Sequence, residues 1–214
     1  MASARRIIGR TLIAGAVMTA AAASAIALRS WSGRWGTDVL EEGGYLPGDE
    51  FLGRADHQTT RAIEIRTAPA RIWPWLAQLG YGRGGFYSYD WLENLVGMNL
   101  HSAEHIEARW QDLNVGDHIA LADGALLEVV ALQPESHLVL RGGSSDVPGT
   151  VPFDFTWAFV LRQTSDARTR LIVRERYTYH RAAAPLMVEP VSMVSFLMST
   201  KMLRGIKERA ESVD

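Results

Sequence analysis

The residue best placed to do chemistry in this chain is a glutamate set among apolar and aromatic neighbours. It lies in Leu171-Ile172-Val173-Arg174-Glu175-Arg176-Tyr177-Thr178-Tyr179. Period-two alternation puts Leu171, Val173, Glu175, Tyr177 and Tyr179 on one face of a strand, with Arg170, Arg174 and Arg176 on the other. The arginine face is assigned to solvent, which turns Glu175 inward. An inward carboxylate costs several kcal/mol unless it is paired or hydrogen-bonded. Left unpaired, Glu175 is the candidate catalytic acid or base. Bonded to a Tyr, Trp or Arg of a cavity wall, it is a structural anchor, and this reading is favoured because structural ion pairs are commoner than catalytic sites.

Other constellations carry less. His101-Ser102-Ala103-Glu104-His105 spells H-x-x-E-H, in which two histidines on one helical face would bind zinc. Ser102 is a candidate helix cap that would leave His101 outside the helix, and no third ligand follows, so no metal is assigned. Gly82-Arg83-Gly84-Gly85 lacks the lysine and the strand-to-helix setting of a phosphate loop. There is no G-x-S-x-G elbow, and the chain has no cysteine, which excludes thiol nucleophiles and disulfides.

Aromatic side chains gather at two places. Trp73, Trp75, Phe86, Tyr87, Tyr89 and Trp91 surround two short helices. Phe155, Trp157, Phe159 and Leu161 share one face of another strand. Rings of this kind suit a flat apolar ligand or a lipid tail, with tyrosine hydroxyls giving direction. The expected ligand-contacting set is Trp73, Phe86, Tyr87, Tyr89, Trp91, Phe155, Trp157, Glu175, Tyr177 and Tyr179.

The elements that must hold these residues follow from periodicity. Arg61 to Arg66 alternates as a strand, with Ile63 and Ile65 inward. Thr67-Ala68-Pro69 starts a helix carrying Ile72, Trp73, Leu76 and Leu79 on one face. Asp90 to Glu93 reads as a capping box opening a second helix. Strands are expected at His118–Leu121, Leu126–Leu132, His137–Arg141, Phe153–Gln163 and Thr169–His180, joined by short polar turns and hence antiparallel. A long helix is expected from about Pro185 to Ala210, apolar at Phe196, Leu197, Met198, Met202, Leu203 and Ile206.

The 214 residues are 47% hydrophobic and 21% charged, the composition of a globular chain. The net charge of −2 understates the acidity of the body, because all charges in residues 1–29 are arginines (Arg5, Arg6, Arg10 and Arg29). Nucleic-acid binding is therefore not expected. Thr11 to Leu28 carries no charge and, at about 1.5 Å per residue, reaches roughly 27 Å, close to the bilayer's hydrocarbon thickness. Residues 1–29 are read as a transmembrane anchor, with a signal segment as the competing reading. Arginines ahead of the stretch keep the N-terminus cytoplasmic and put the body outside. Residues 30–58, Gly- and acid-rich without periodicity, are expected to be a linker, and residues 59–214 the folded domain.

The order strand, two helices, antiparallel strands, long terminal helix resembles the helix-grip fold of the SRPBCC superfamily (START-like, polyketide cyclase and lipid-transport proteins). The residues that carry it are Ala68-Pro69, Ile72-Trp73-Pro74-Trp75-Leu76, Arg83 to Asn94, Trp110 to Asp117 and Lys201 to Lys207. The resemblance implies an α+β fold in which a curved antiparallel sheet wraps a long C-terminal helix around a hydrophobic cavity. It implies binding, with transfer as an extension, of a hydrophobic small molecule or lipid beside the membrane, without a cofactor. A cyclase- or aromatase-type enzyme using acid/base catalysis is the alternative, and a groove holding another protein's apolar segment is a third reading.

Overall fold

The computed structural model describes residues 24, 27–95, 97, 99–143, 151–165 and 167–212. Its elements are α1 (Val39–Gly43), β1 (His57–Ile65), α2 (Pro69–Ala77), α3 (Asp90–Leu95), β2 (His118–Ala122), β3 (Ala125–Gln133), β4 (His137–Gly143), β5 (Phe153–Ser165), β6 (Arg168–Tyr179) and α4 (Ala184–Ser212). The architecture is α+β. The six strands form one open antiparallel sheet in the order β1-β6-β5-β4-β3-β2. Hairpins build most of it, but the first strand pairs with the last, with Thr59 opposite Glu175 and Arg61 opposite Val173.

One face of the sheet packs against α2 and α4. Its core joins Ile72 and Leu76 of α2, Phe159 and Leu171 of the sheet, and Leu203 and Ile206 of α4. Gly205 lets α4 come close to the Gly-rich loop, because a Cβ there would meet the Tyr87 carbonyl oxygen and stand 2.9 Å from the Tyr87 Cβ.

The other face corrects two expectations at once. Residues 30–58 are not a bare tether, and Arg170, Arg174 and Arg176 of β6 are largely out of solvent. Glu41 closes a reciprocal cap with Asp38 at the start of α1. It also holds Arg170 at 2.7 Å, while Asp49 holds Arg174 at 2.6 Å. Arg174 donates as well to the carbonyls of Glu41, Glu42 and Gly44 and is almost fully buried. Beneath this layer Leu46 packs with Ala62, Val160 and Ile172. The reason is complementarity. An acid-rich segment and an arginine-rich face each read as solvated alone, but together they supply one another's counter-charges and acceptors.

A smaller expectation also changes. Residues 101–107 form no helix, so His101 and His105 do not share a helical face. At the start of α3 the Asp90 carboxylate accepts from the Ser102 amide at 2.7 Å and the Ser102 hydroxyl at 2.6 Å, tying the loop after the helix back to its first residue. Among the described residues no helix is long and apolar enough to cross a membrane. The Thr11–Leu28 stretch lies outside the described residues apart from Ser24, Ala27 and Leu28.

Candidate functional site

Between the sheet and α4 lies a cavity of about 230 Å³. The Gly-rich loop contributes Phe86 and Ser88, β2 contributes Leu121, and β5 contributes Phe155 and Trp157. Strand β6 adds Glu175 and Tyr177, and α4 adds Ser195, Met198, Ser199 and Met202. The spacing of the helical residues, i, i+3, i+4 and i+7, is one face of a helix. A second chamber of about 170 Å³ lies alongside, bordered by His57, Phe153, Met187 and Val188. Glu175, Tyr177 and Ser195 border both chambers.

The Gly-rich loop is held at several points. Tyr87 sits in the left-handed region at φ 55°. Its amide donates to Ser102 at 3.0 Å and its hydroxyl to the Trp75 carbonyl at 3.0 Å. Burial pushes the Tyr87 phenol well above its usual range. Turning Tyr87 into the core leaves Phe86 and Ser88, on either side, at the cavity.

Glu175 and its partners form the polar wall. Its Oε1 accepts from Arg61 Nη1 at 3.0 Å and from Ser199 at 3.0 Å. The Ser195 hydroxyl lies 3.0 Å from Oε1 and 2.9 Å from Oε2. The ion pair is buried, with the Arg61 and Glu175 side chains 1% and 6% exposed. Arg61 also donates from Nε to the Ser32 carbonyl at 3.1 Å and stands 5.8 Å from the Phe196 ring centroid. Glu175 is thus engaged by one counter-ion, Arg61, and two serines.

Rings make up the remaining wall. Phe155 and Tyr177 are 4.7 Å apart between centroids, Trp157 and Phe159 4.8 Å, and Phe86 and Trp157 6.1 Å. Burial, then the nearby Glu175 charge, pushes the Tyr177 phenol far above its ordinary range, so its hydroxyl keeps its proton. The Trp157 Nε1–H is buried and has no hydrogen-bond partner among the described residues.

Of the ten expected contact residues, the structure brings Phe86, Phe155, Trp157, Glu175 and Tyr177 to the larger cavity. Trp73, Tyr87, Tyr89, Trp91 and Tyr179 do not border it. Trp73 packs against the core, and Tyr89 and Trp91 stand edge to face on the surface. The sequence reading missed Arg61, Ser195 and Ser199. Their signals were present: Arg61 shares the parity of Ile63 and Ile65, and the two serines recur at i, i+4 beside Met198 and Met202. Among the described residues no cluster of His, Cys, Asp and Glu could hold a metal ion.

Fold and site together define an α+β protein with an apolar cavity between an open sheet and its terminal helix, marked by one buried Arg–Glu pair. No family model matches the chain, and no curated protein matches it. Several solved structures are similar to it. Protein jhp0584 from Helicobacter pylori is 12% identical with a TM-score of 0.47, covering 81% of this chain and 99% of its own. Protein MLL2253 from Mesorhizobium loti is 16% identical with a TM-score of 0.43, covering 74% and 99%. DynU16, from the dynemicin biosynthetic locus, is 12% identical with a TM-score of 0.42, covering 70% of this chain and 46% of its own. Likenesses of this depth carry no functional argument.

Proposed function

We propose that this protein is a helix-grip protein of the SRPBCC type that binds a small hydrophobic molecule or lipid chain in its cavity, next to a membrane. The observation that carries the reading is the cavity of about 230 Å³, walled by rings and methionines with its charged group confined to one side. An apolar cavity of about 150 Å³ already accepts a benzene-sized guest, while drug-sized sites span roughly 300–1,000 Å³. The larger chamber by itself is therefore sized for a single ring or a short stretch of chain.

A membrane beside the site is supported by the surface of α4. Leu186, Met187, Met193, Val194 and Leu197 are exposed along its first half. Trp31 stands edge-on to Phe196 with centroids 5.3 Å apart, and Ser32 contacts Met193. The chain leading from the apolar Thr11–Leu28 stretch therefore runs onto this stripe. With residues 1–29 as the anchor, the stripe would lie against the bilayer, and Met187 would put the second chamber beside the lipid. Acid/base catalysis of the cyclase kind gains less support, because Glu175 is engaged by Arg61 and two serines.

The test is mass spectrometry of the full-length protein extracted intact from its own membrane. The expected result is one class of small apolar molecule bound at up to one per chain and absent from a Ser199→Phe variant of unchanged stability. A guest retained equally by that variant would count against the cavity.

A further inference from the structure

Beside the Gly-rich loop, apart from the cavity under α4, lies a hollow of the opposite chemistry. It measures about 280 Å³, and Gly82, Arg83, Gly85, Asn99, His101 and Arg109 are among its walls. Among the described residues no carboxylate lines it, although the chain carries a net charge of −2. Two guanidiniums thus share one polar space.

Neither is used in the way the sheet uses its arginines. Arg61, Arg170 and Arg174 each meet a carboxylate at 3.0 Å or less. Arg83 meets carbonyls instead, its Nη2 donating to Ala77 at 2.8 Å and to Trp110 at 3.1 Å. Its Nη1 has no partner among the described residues and, unlike its Nε, is not sealed from solvent. Burial pulls the Arg83 pKa down, against an opposing pull from the Asp117 charge. Arg109 is exposed and stacks over the Trp110 ring, 4.3 Å from its centroid. The nearest carboxylate to Arg109, that of Glu107, stands 3.8 Å away, beyond hydrogen-bonding distance.

The frame is built before any ligand arrives. Both guanidiniums are anchored to one residue, Arg83 to the Trp110 carbonyl and Arg109 to the Trp110 ring. Gly80 and Gly85 exchange backbone hydrogen bonds at 3.0 and 3.1 Å, and Asn94 holds both the amide and the carbonyl of Leu100. Groups fixed in this way lose little freedom on binding. A phosphate monoester carries about −1.5 to −2 charges at neutral pH and several acceptor oxygens, which suits two guanidinium forks better than a singly charged carboxylate does.

We infer that this hollow binds a phosphate group, with Arg83 Nη1 and the Arg109 guanidinium as its paired cationic donors. The loop has no lysine, so recognition runs through arginine rather than through the machinery of a phosphate loop.

Calorimetric titration of the full chain, held in phosphatidylcholine nanodiscs, with glycerol 3-phosphate, inorganic phosphate and acetate tests it. Both phosphates are expected to bind saturably and roughly tenfold more tightly than acetate. Acetate binding equally well, or no phosphate binding at millimolar concentration, overturns the assignment and leaves the apolar cavity untouched. Discs containing phosphatidic acid separate two sources of the phosphate. Loss of glycerol 3-phosphate binding there assigns the site to a lipid head, and its persistence assigns the site to a soluble ester. Arg109→Gln changes an exposed side chain and is expected to weaken phosphate binding roughly tenfold at an unchanged denaturation midpoint. Glu107→Gln removes the carboxylate nearest Arg109 and is expected to tighten it several-fold. Binding unchanged in both variants overturns the role given to the arginine pair.

Discussion

At the scale of single residues, the site depends on how Glu175 is compensated. The alternation in β6 made its inward direction legible, because Leu171, Val173 and Tyr177 share its parity. Its partner was harder to read. Arg61 is bonded to it across 114 positions of sequence, and only the pairing of the first strand with the last brings them together. Local periodicity contains no such pairing. The physical consequence is testable by chemical denaturation. Arg61→Met leaves a buried carboxylate without its counter-ion and is expected to cost about 3–5 kcal/mol. Arg61→Met combined with Glu175→Leu removes both charges and is expected to recover most of that loss. Equal destabilisation by the single and double variants would show that the pair is not what holds this wall.

At the scale of elements, the long strands and the terminal helix were legible because period two and period 3.6 persist over many residues. Segments whose structure depends on a neighbour were not. The stretch before β1 has too few apolar residues to show a pattern, and it folds by giving Glu41 and Asp49 to the arginines of β6. The aromatics near α2 and α3 read as one cluster, but the positive φ at Tyr87 sends its ring into the core and its neighbours to the cavity. Alternation cannot foresee a reversal of that kind in a Gly-rich loop. Gly205 holds the arrangement in place. Gly205→Ala gains up to about 1 kcal/mol of helix propensity but puts a methyl group 2.9 Å from the Tyr87 Cβ. Overpacking of this sort costs about 1–3 kcal/mol, so a lower denaturation midpoint is expected, together with weaker guest binding as Phe86 and Ser88 shift. A midpoint raised above wild type would contradict the close approach.

At the scale of the whole molecule, the sheet has two differently covered faces. One is sealed by charge pairing with the segment ahead of β1, and the other keeps a hollow under α4. Under the proposed membrane placement, the exposed apolar stripe on the first half of α4 would meet a lipid surface, where leaving water gains roughly 1.5–3 kcal/mol for a fully buried side chain of this size. With the full chain in a nanodisc containing spin-labelled lipid, the methyl resonances of Met187 and Met193 are expected to broaden, while that of buried Met202 stays sharp. Equal sharpness of all three would place the stripe away from the bilayer.

The most direct test of a guest-binding cavity uses two of the same methyl groups. Met198 and Met202 line the hollow from α4, whereas Met193 faces outward. Octanol titrated into the methyl-labelled full chain should shift Met198 and Met202 in a saturable way and leave Met193 in place. Resonances of Met198 and Met202 that do not move at any octanol concentration, in a chain that remains folded, would contradict the account.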